Sequence, residues 1–262
     1  MKRILFADKD DWREPVRERL DAARFTPVFA DFQDAALDFG EYDAVVPLRL
    51  SDYAPMRLRP APSFLIPEKR LVQLAHDKSR FNAFLADKGF ADLVPTLYDG
   101  SDGDEGAVAY PFIYKKHHDQ AGIASKIVHS AQEQAAFEAG IDAREYYKQR
   151  YVGGRNEYTS HFLAVDGAIR FDATVKFTFD DDHFVRGVNH EARRIDRMAT
   201  PHLDTFARIL VALGYTGTCC FNYKIEDDKP LIFEVNPRAG GSLRLDLNPY
   251  LDAYLSALAG GG

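Results

Sequence analysis

The sequence is poor in cysteine, and the two cysteines that it has are neighbours. Cys219 and Cys220 are the only ones among 262 residues. Because consecutive residues of a strand point to opposite faces, this pair cannot supply the Cys-x-x-Cys arrangement of a redox or metal site. Small, buried and reduced thiols are typical of a reducing compartment, so a cytoplasmic protein is expected.

A surplus of basic residues is also missing. The chain has 33 Lys and Arg against 40 Asp and Glu, which gives a net charge of -7. General nucleic-acid binders usually carry a basic surplus, so no nucleic-acid partner is expected. No apolar run approaches the ~18 residues that cross a membrane, so no membrane partner is expected either. The first apolar stretch ends at Asp8, which indicates a strand rather than a signal peptide.

With 46% hydrophobic residues the chain can build a substantial core, and its length allows one or two domains. Its first part alternates short apolar segments with a helical pattern in which Val16 and Leu20 are four apart. Strands that alternate with helices predict a small parallel α/β unit, which we place at 1–72. The predicted elements of this unit are a helix at 11–23 and strands at 3–7, 27–30, 43–47 and 63–66.

The remainder of the chain has the mixed pattern of two α+β lobes, which we place at 73–152 and 153–262. In the second lobe, the turn dipeptide Asp166-Gly167 separates two long strand patterns. The first lobe is predicted to contain helices at 78–88 and 131–139, strands at 110–116, 126–128 and 146–152, and an exposed loop at 100–106. The second lobe is predicted to contain hairpins at 157–179 and 218–235 and helices at 200–213 and 248–258.

The segment from Glu234 to Arg238 carries the clearest chemistry. It follows an apolar run and is predicted to end a buried strand, on which Glu234 and Asn236 share one face. Carboxylate and amide oxygens are the ligands that Mg²⁺ prefers. Arg238 is always charged and can fork onto phosphate oxygens. Gly240 and Gly241 allow the backbone to approach a ligand closely. Together these residues indicate chemistry on a nucleoside triphosphate.

This segment is the last part of an ordered set of motifs. The set is Asp77-Lys78, then Pro111 to Lys115, the loop His117 to Lys126, Gln149 to Val152 with Glu157, and Thr216 to Lys224 followed by Glu234 to Arg238. Each motif is weak alone, but in this order they resemble the ATP-grasp superfamily over residues 73–245. The resemblance implies an α/β chain with α+β lobes, in which a short N-terminal parallel α/β unit precedes the ATP-grasp fold.

In this superfamily, lysines and a glycine-rich flap lie against the phosphates of ATP. The resemblance places Lys78 and Lys115 on the phosphates, although Lys116 stands where the superfamily usually has Pro. Because strand side chains alternate, only one of Lys115 and Lys116 can point inward, and we prefer Lys115. The flap is represented by Gly122 and Ser125, with fewer glycines than usual. Backbone N–H groups can bind anions in such a loop.

The hinge between the two lobes is expected to contact the base of the nucleotide. The resemblance implies that Gln149, Arg150, Tyr151 and Val152 form this hinge, and that Glu157 binds the ribose hydroxyls. Gln149 stands where many members of the superfamily have Glu. Its amide oxygen can still accept a hydrogen bond from the amino group of adenine.

The resemblance also implies metal ligands on the second hairpin. Asn222, Glu234 and Asn236 occupy the positions that would hold Mg²⁺, with Mn²⁺ as an alternative. Asn222 stands where the superfamily usually has Asp, so the site loses one negative charge, and whether one or two ions bind stays open. Two ions bridged by Glu234 would clamp the β- and γ-phosphates. Arg238 and Lys115 are the expected catalytic residues, and Arg238 would stabilise the transferred phosphoryl group or the later oxyanion.

Five further residues are candidates for contact with the substrates. Lys176, His190 and Arg194 lie between the hinge and the metal strands, where one of them could meet the γ-phosphate or an acidic substrate. A solvated basic face is the alternative for these three. Ser242 and Arg244 follow the glycine pair and could hold the carboxylate substrate.

The activity that the resemblance implies is that of an ATP- and Mg²⁺-dependent carboxylate–amine ligase. Such an enzyme activates a carboxylate as an acyl phosphate and joins it to an amine, and it supplies alignment, charge and exclusion of water. The expected partners are small-molecule carboxylate and amine substrates, and the chain is expected to be a monomer or a homodimer. Two alternatives stay open: a kinase or phosphotransferase of the same fold, and a non-catalytic nucleotide-binding module with weakened metal ligands.

Overall fold

Three β-sheets with helices packed against them make up the fold. A computed structural model describes residues 1–59, 64–98, 108–118, 122–187 and 191–260. Within these ranges one sheet is parallel and the other two are antiparallel. The predicted fold class, an α/β chain with α+β lobes, is confirmed. The loop predicted at 100–106 lies outside the described residues.

The first sheet is the predicted parallel unit, with strand order β2-β1-β3. The fourth strand predicted at 63–66 is wrong, because residues 64–66 form no strand and Ser63 lies outside the described residues. Pro67 follows directly and has no N–H to pair. The Leu65 N–H donates instead to the Tyr254 hydroxyl at 2.6 Å. The elements here are β1 (Lys2–Ala7), α1 (Asp10–Arg19), β2 (Phe25–Ala30), β3 (Ala44–Val46) and the unpredicted short α2 (Tyr53–Leu58).

Two consecutive helices connect this unit to the second sheet. They are α3, Lys69–His76, which was not predicted, and α4, Lys78–Leu85. Asp77 caps α4, since its carboxylate accepts a hydrogen bond from the Arg80 N–H at 3.0 Å. This cap fixes the start of the helix at Lys78 and therefore the place from which the Lys78 side chain projects.

The second sheet is antiparallel and has the order β4-β7-β5-β6. The strands predicted at 110–116, 126–128 and 146–152 are all present, although two of them are shorter. Its core is small and aromatic, with Phe112 and Tyr114 buried against Phe137 of the helix that covers it. The elements are β4 (Leu97–Tyr98), β5 (Phe112–Lys116), β6 (Lys126–Val128), α5 (Ala131–Glu138) and β7 (Tyr146–Arg150).

The third sheet has five antiparallel strands in the order β10-β9-β8-β11-β12. Both predicted hairpins are present, and Asp166 (φ +50°) and Gly167 (φ +80°) make the turn of the first. The edge strand β10 was missed because its sequence, Arg-Ile-Asp-Arg-Met, is polar and largely exposed. The elements are β8 (Asn156–Val165), β9 (Ala168–Thr178), β10 (Arg194–Met198), α6 (Leu203–Leu213), β11 (Gly217–Glu226), β12 (Lys229–Asn236) and α7 (Leu247–Ala259).

The C-terminal helix α7 joins the core of the first sheet to that of the third. Tyr250, Leu251 and Tyr254 are fully buried in one cluster with the strands of the first sheet. The Tyr254 hydroxyl also donates to the Val45 carbonyl at 3.1 Å. The domain boundaries at residues 72 and 152 stay a prediction. In the part of the chain that the structure describes, no helix is long and apolar enough to cross a membrane.

Candidate active site

One cleft of about 1700 Å³ is lined by strands of the second and third sheets, by residues of α1 and by the segment that follows β3. Its described lining is strongly basic, with five lysines and seven arginines against three glutamates and one aspartate. The whole chain is acidic, with a net charge of -7. Positive charge is therefore concentrated in the cleft, and a cleft lined by one sign of charge attracts ligands of the other sign.

Glu234 lies at the centre of the cleft and accepts three hydrogen bonds. Lys78 Nζ is 2.9 Å from one carboxylate oxygen, and the amide nitrogens of Asn222 and Asn236 donate to the other at 2.7 and 3.1 Å. Burial alone would raise the pKa of Glu234. The charge of Lys78, the hydrogen bonds from Lys78 and Asn222, and the charge of Lys115 lower that pKa to about 2. Glu234 is therefore a carboxylate at every physiological pH.

Asn222 stands in one row with Glu234 and Thr159 across three neighbouring strands. Its amide oxygen accepts a hydrogen bond from the Thr159 hydroxyl at 2.7 Å and from Arg186 Nη2 at 3.1 Å. Arg186 also donates to the Thr159 hydroxyl at 2.9 Å and pairs with Glu157 at 3.1 Å. A chain of contacts therefore runs from the Glu157 carboxylate through Arg186 and the Asn222 amide to the Glu234 carboxylate.

Arg186 was missed by the sequence analysis. It lies in the segment between β9 and β10, far from every motif in the chain, and no spacing pattern links it to Asn222. Only the fold brings it to the cleft, where its guanidinium lies 4.4 Å from the centre of the Phe177 ring.

Lys115 and Lys116 both lie at the cleft, but they have different partners. Lys115 Nζ donates to Gln149 Oε1 at 2.9 Å and lies 4.7 Å from the centre of the Phe233 ring. Lys116 Nζ pairs with Glu145 at 2.6 Å, and its side chain is 32% exposed. Burial, and then the charge of Lys78, lower the pKa of Lys115 to about 8. This placement favours Lys115 as the inward lysine.

The segment predicted to be the hinge, residues 149–152, is held in place by contacts of its side chains. Gln149 is buried, and its amide holds Lys115 on one side and the Pro95 carbonyl at 3.4 Å on the other. Arg150 forms a bidentate ion pair with Glu226, with distances of 3.1 and 2.7 Å. This pair connects the second sheet to the tip of the hairpin of β11 and β12. The Tyr151 hydroxyl accepts from the Phe184 N–H at 2.9 Å. All three residues line the cleft.

Lys224 is a second residue that the sequence analysis did not select. It is 2% exposed, and its ammonium donates to the Val152 carbonyl at 2.9 Å and lies 4.1 Å from the centre of the Phe184 ring. Burial lowers its pKa to about 8, against the opposing charges of Glu157 and Asp182. A signal was present in the sequence, because Lys224 is two residues after Asn222 and must share its strand face.

The predicted flap residues reach the cleft as well. Gly122, at φ +68°, and Ser125 both line it, and the Ser125 N–H donates to the Gly122 carbonyl at 2.9 Å. Residues 119–121 of this loop lie outside the described residues.

Arg238 and Asn236 follow Glu234 on the same edge of the cleft. Arg238 donates to the Asn236 side-chain oxygen at 3.3 Å and to the Ala239 carbonyl at 3.0 Å. Among the described residues it has no carboxylate partner within ion-pair distance, so its charge is available to an anionic ligand.

Ser242 and Arg244 lie at the end of the cleft next to the first sheet. The Ser242 hydroxyl is 2.8 Å from Nε2 of His161. Burial, with the charges of Arg186 and Arg238, lowers the pKa of His161 to about 3, so this ring is neutral. Arg244 donates to the Asp11 carbonyl. The Asp11 carbonyl lacks the usual helical hydrogen bond, because Pro15, four residues later in α1, has no N–H.

Lys176 and Arg194, two of the three remaining substrate candidates, are not brought to the cleft. Lys176 is not among the lining residues: Phe177 faces the cleft, and strand alternation turns Lys176 to the other side. Arg194 is 71% exposed and pairs with Asp196 at 2.7 Å. His190 lies outside the described residues.

The turn that carries Ser242 requires a glycine at position 240, and this predicts a difference between two neighbouring glycines. A Cβ at Gly240 would lie 2.7 Å from Cys220 Sγ and 2.8 Å from His161 Cε1, although the backbone angles there suit any residue. We expect Gly240→Ala to lower the free energy of unfolding by about 1–3 kcal/mol, the usual cost of overpacking. Urea unfolding followed by circular dichroism measures it.

Gly241→Ala is the matched control, because the nearest atom to its Cβ would be 3.9 Å away, on Arg244. Its stability should stay within about 0.5 kcal/mol of the wild type. Equal stabilities for the two variants would contradict the close packing of Gly240 on His161.

Comparison with known proteins identifies the fold. The chain superposes on the ATP complex of D-alanine–D-alanine ligase from Bacillus anthracis with a TM-score of 0.64 at 13% identity, covering 100% of this chain and 99% of that one. For phosphoribosylamine–glycine ligase from Thermotoga maritima the values are 0.69 and 13%, with 99% and 76% covered. For the L-amino acid ligase from Bacillus licheniformis they are 0.62 and 15%, with 93% and 68% covered.

The chain therefore has the ATP-grasp fold, which confirms the resemblance drawn from its motifs. The solved structures that share it include several ligases. No family model matches the sequence, and no curated protein matches it. At these low identities the likeness concerns the fold, and the chemistry has to be argued from the site.

Proposed function

We propose that this protein is an ATP-dependent ligase that activates a small carboxylate as an acyl phosphate and joins it to an amine. The observation that carries the proposal is the cluster around Glu234. Lys78 of α4 and Lys115 of β5 converge there on the strand end that carries Glu234 and Arg238. A carboxylate ringed by cations at the end of a basic cleft suits a polyphosphate chain.

In this proposal Lys78, Lys115 and Arg238 contact different parts of the triphosphate. Lys78 and Lys115 bind its oxygens, with Lys115 held in place by Gln149. The backbone of Gly122 and Ser125 covers the phosphates from the flap. The carboxylate substrate attacks the γ-phosphorus and ADP leaves, and Arg238 stabilises the charge on the transferred group.

The residues present fit one divalent ion. Glu234 and Asn236 both line the cleft and offer a carboxylate and an amide oxygen. Among the described residues, no group of three His, Cys, Asp or Glu is arranged to hold a metal. Mg²⁺ on Glu234 and Asn236 would supply charge neutralisation to the phosphates when bound.

Ser242 and Arg244 line the end of the cleft where we place the carboxylate and amine substrates. In this proposal Arg244 binds the carboxylate substrate, and the hydroxyl of Ser242, held by His161, completes its contacts. The amine then attacks the acyl carbon, phosphate leaves, and the nitrogen loses a proton to give the amide. The cleft keeps water away from the acyl phosphate, which hydrolyses readily.

At the other end of the cleft, the hinge and Lys224 enclose the base. Gln149, Tyr151 and Val152 line this part, together with the rings of Phe177 and Phe184. Glu157, which pairs with Arg186, is placed for the ribose hydroxyls in this proposal.

The reaction class is tested by product analysis. The protein, ATP and Mg²⁺ are mixed with a panel of amino acids and sugar acids, ADP release is followed by a coupled assay, and the products are identified by mass spectrometry. A ligase gives ADP, free phosphate and an amide. A stable phosphoester without an amide would identify the kinase alternative. Nucleotide binding without turnover under every acceptor would favour the non-catalytic module.

The depressed pKa of Lys115 predicts how nucleotide affinity depends on pH. With a pKa of about 8, this lysine is mostly charged at pH 7 and mostly neutral at pH 9. If only the charged form binds phosphate, the Kd for ATP rises up to about tenfold across that range. Calorimetry of ATP binding at pH 7, 8 and 9 measures it.

Lys115→Met should remove most of this pH dependence, since no proton is then lost at that position. Lys224 titrates in the same range but lies on the hinge carbonyl, so Lys224→Met is the control and should keep the slope. If the pH dependence survives in Lys115→Met and disappears in Lys224→Met, it comes from Lys224 and this prediction is wrong.

A further inference from the structure

The amide of Asn222 has both of its ends engaged, and each end meets a different charge. Its nitrogen donates to the Glu234 carboxylate at 2.7 Å. Its oxygen accepts from the Arg186 guanidinium at 3.1 Å. The two strands place Asn222 directly opposite Glu234, so this contact is set by backbone register.

A carboxylate at position 222 would behave differently. Two carboxylates directly opposite each other on neighbouring strands repel, and they tolerate each other only if one is protonated or a cation lies between them. The Glu234 carboxylate already has Lys78 at 2.9 Å and accepts hydrogen bonds from the amides of Asn222 and Asn236, which favours its ionised form. An Asp at position 222 would need a cation between itself and Glu234. The side-chain N–H of Asn222 takes the place of that cation by donating to Glu234.

Arg186 already supplies a permanent positive charge beside Asn222. Its guanidinium is held on three sides: by Thr159 at 2.9 Å, by Asn222, and by Glu157 at 3.1 Å. It is also stacked on Phe177 and lines the cleft. An arginine cannot lose its charge in a protein, and a fixed fork of donors loses little entropy when it binds phosphate.

We propose that this site takes a single divalent ion with the nucleotide, held by Glu234 and Asn236, and that Arg186 replaces a second ion on the Asn222 side. The inference rests on the proposed nucleotide-binding function. Asn222 then acts as a spacer that keeps Arg186 and Glu234 apart, and it is not a metal ligand. Arg186 is the residue that meets the phosphates where the second ion would otherwise lie.

The test counts metal ions per bound nucleotide. Calorimetry with a non-hydrolysable ATP analogue gives the number of occupied nucleotide sites, and electron paramagnetic resonance of free Mn²⁺ then gives the ions bound at saturating analogue. Wild-type protein should bind one Mn²⁺ per nucleotide, and the double variant Asn222→Asp with Arg186→Met, which places a carboxylate opposite Glu234 and removes the arginine charge beside it, should bind two. Two ions in the wild type, or the same number in both proteins, would overturn the inference.

Arg186→Met provides a second, independent readout. We expect it to weaken binding of the analogue by about tenfold, because a charge-assisted contact to phosphate is lost. The control is Arg155→Met, whose arginine is 62% exposed and pairs with Asp182 away from the cleft. Unchanged affinity in Arg186→Met would overturn the role of this residue even if the double variant does not fold.

The failures of the two proposals can be told apart. If the wild type shows no heat with the analogue and Mn²⁺, the proposed function fails and this inference fails with it. If the analogue binds with two ions per site, nucleotide binding stands and only the single-ion inference is wrong.

Discussion

Glu234→Gln is expected to lower the rate of Mg²⁺-dependent ADP formation by at least about a hundredfold, the range seen when a principal transition-state contact is removed. The substitution removes the one carboxylate among the predicted metal ligands and leaves Lys78 without its ionic partner at 2.9 Å. The remaining Gln oxygen can still accept a hydrogen bond from Asn222 or Asn236, so we expect the protein to fold. A coupled assay of ADP release at saturating ATP measures the effect.

Glu68→Gln is the matched control, because Glu68 is 62% exposed and pairs with Arg70 outside the cleft. It should keep the wild-type rate. Circular dichroism of Glu234→Gln must show the native spectrum for the comparison to be valid. Turnover near the wild-type rate in a folded Glu234→Gln protein would remove this residue from the catalytic centre.

Lys115→Met is expected to weaken ATP binding by about 10- to 100-fold, the equivalent of one charge-assisted hydrogen bond of about 1.5–3 kcal/mol. Lys115 is placed for this role because Gln149 holds its ammonium beside Phe233, within the field of Glu234. Calorimetry at pH 7, where the lysine is mostly charged, gives the affinity.

Lys116→Met makes the comparison sharp, since it removes the neighbouring lysine from the same strand. Lys116 pairs with the half-exposed Glu145, and surface ion pairs of this kind contribute little. We expect less than about a threefold change in ATP affinity. A larger loss in Lys116→Met than in Lys115→Met would reverse the assignment of the inward lysine.

The parts of the site that lie on continuous motifs could be predicted from the sequence. Glu234 and Asn236 share a face because they are two apart on a strand, and the structure places both in the cleft with Asn222 opposite. The start of α4 at Lys78 followed from Asp77, which caps the helix. In these cases a local rule of alternation or capping is enough to orient the side chain.

The residues that were missed depend on long-range packing. Arg186 reaches Asn222 only because the segment after β9 folds back over the third sheet. His161 lies on the buried strand β8, and nothing near it in the sequence indicates its contact with Ser242, 81 residues away. The strand predicted at 63–66 failed because Tyr254 on the C-terminal helix takes the Leu65 N–H.

Lys176 shows that the position of a residue in the sequence does not by itself predict whether its side chain faces the cleft. It lies two residues before the end of β9 and next to Phe177, which lines the cleft, but its side chain points to the opposite face of the strand. The register of β9 against β8 decides which of these neighbours faces the cleft, and that register is set by the whole hairpin.

The most direct test of the central claim is calorimetry of a non-hydrolysable ATP analogue binding to the wild type in the presence of Mg²⁺. The structure predicts saturable binding of one nucleotide per chain, which requires the divalent ion and is weakened at least about tenfold in Lys115→Met. Absence of binding heat, or equal affinity for the wild type and Lys115→Met, would contradict a nucleotide site built around Glu234.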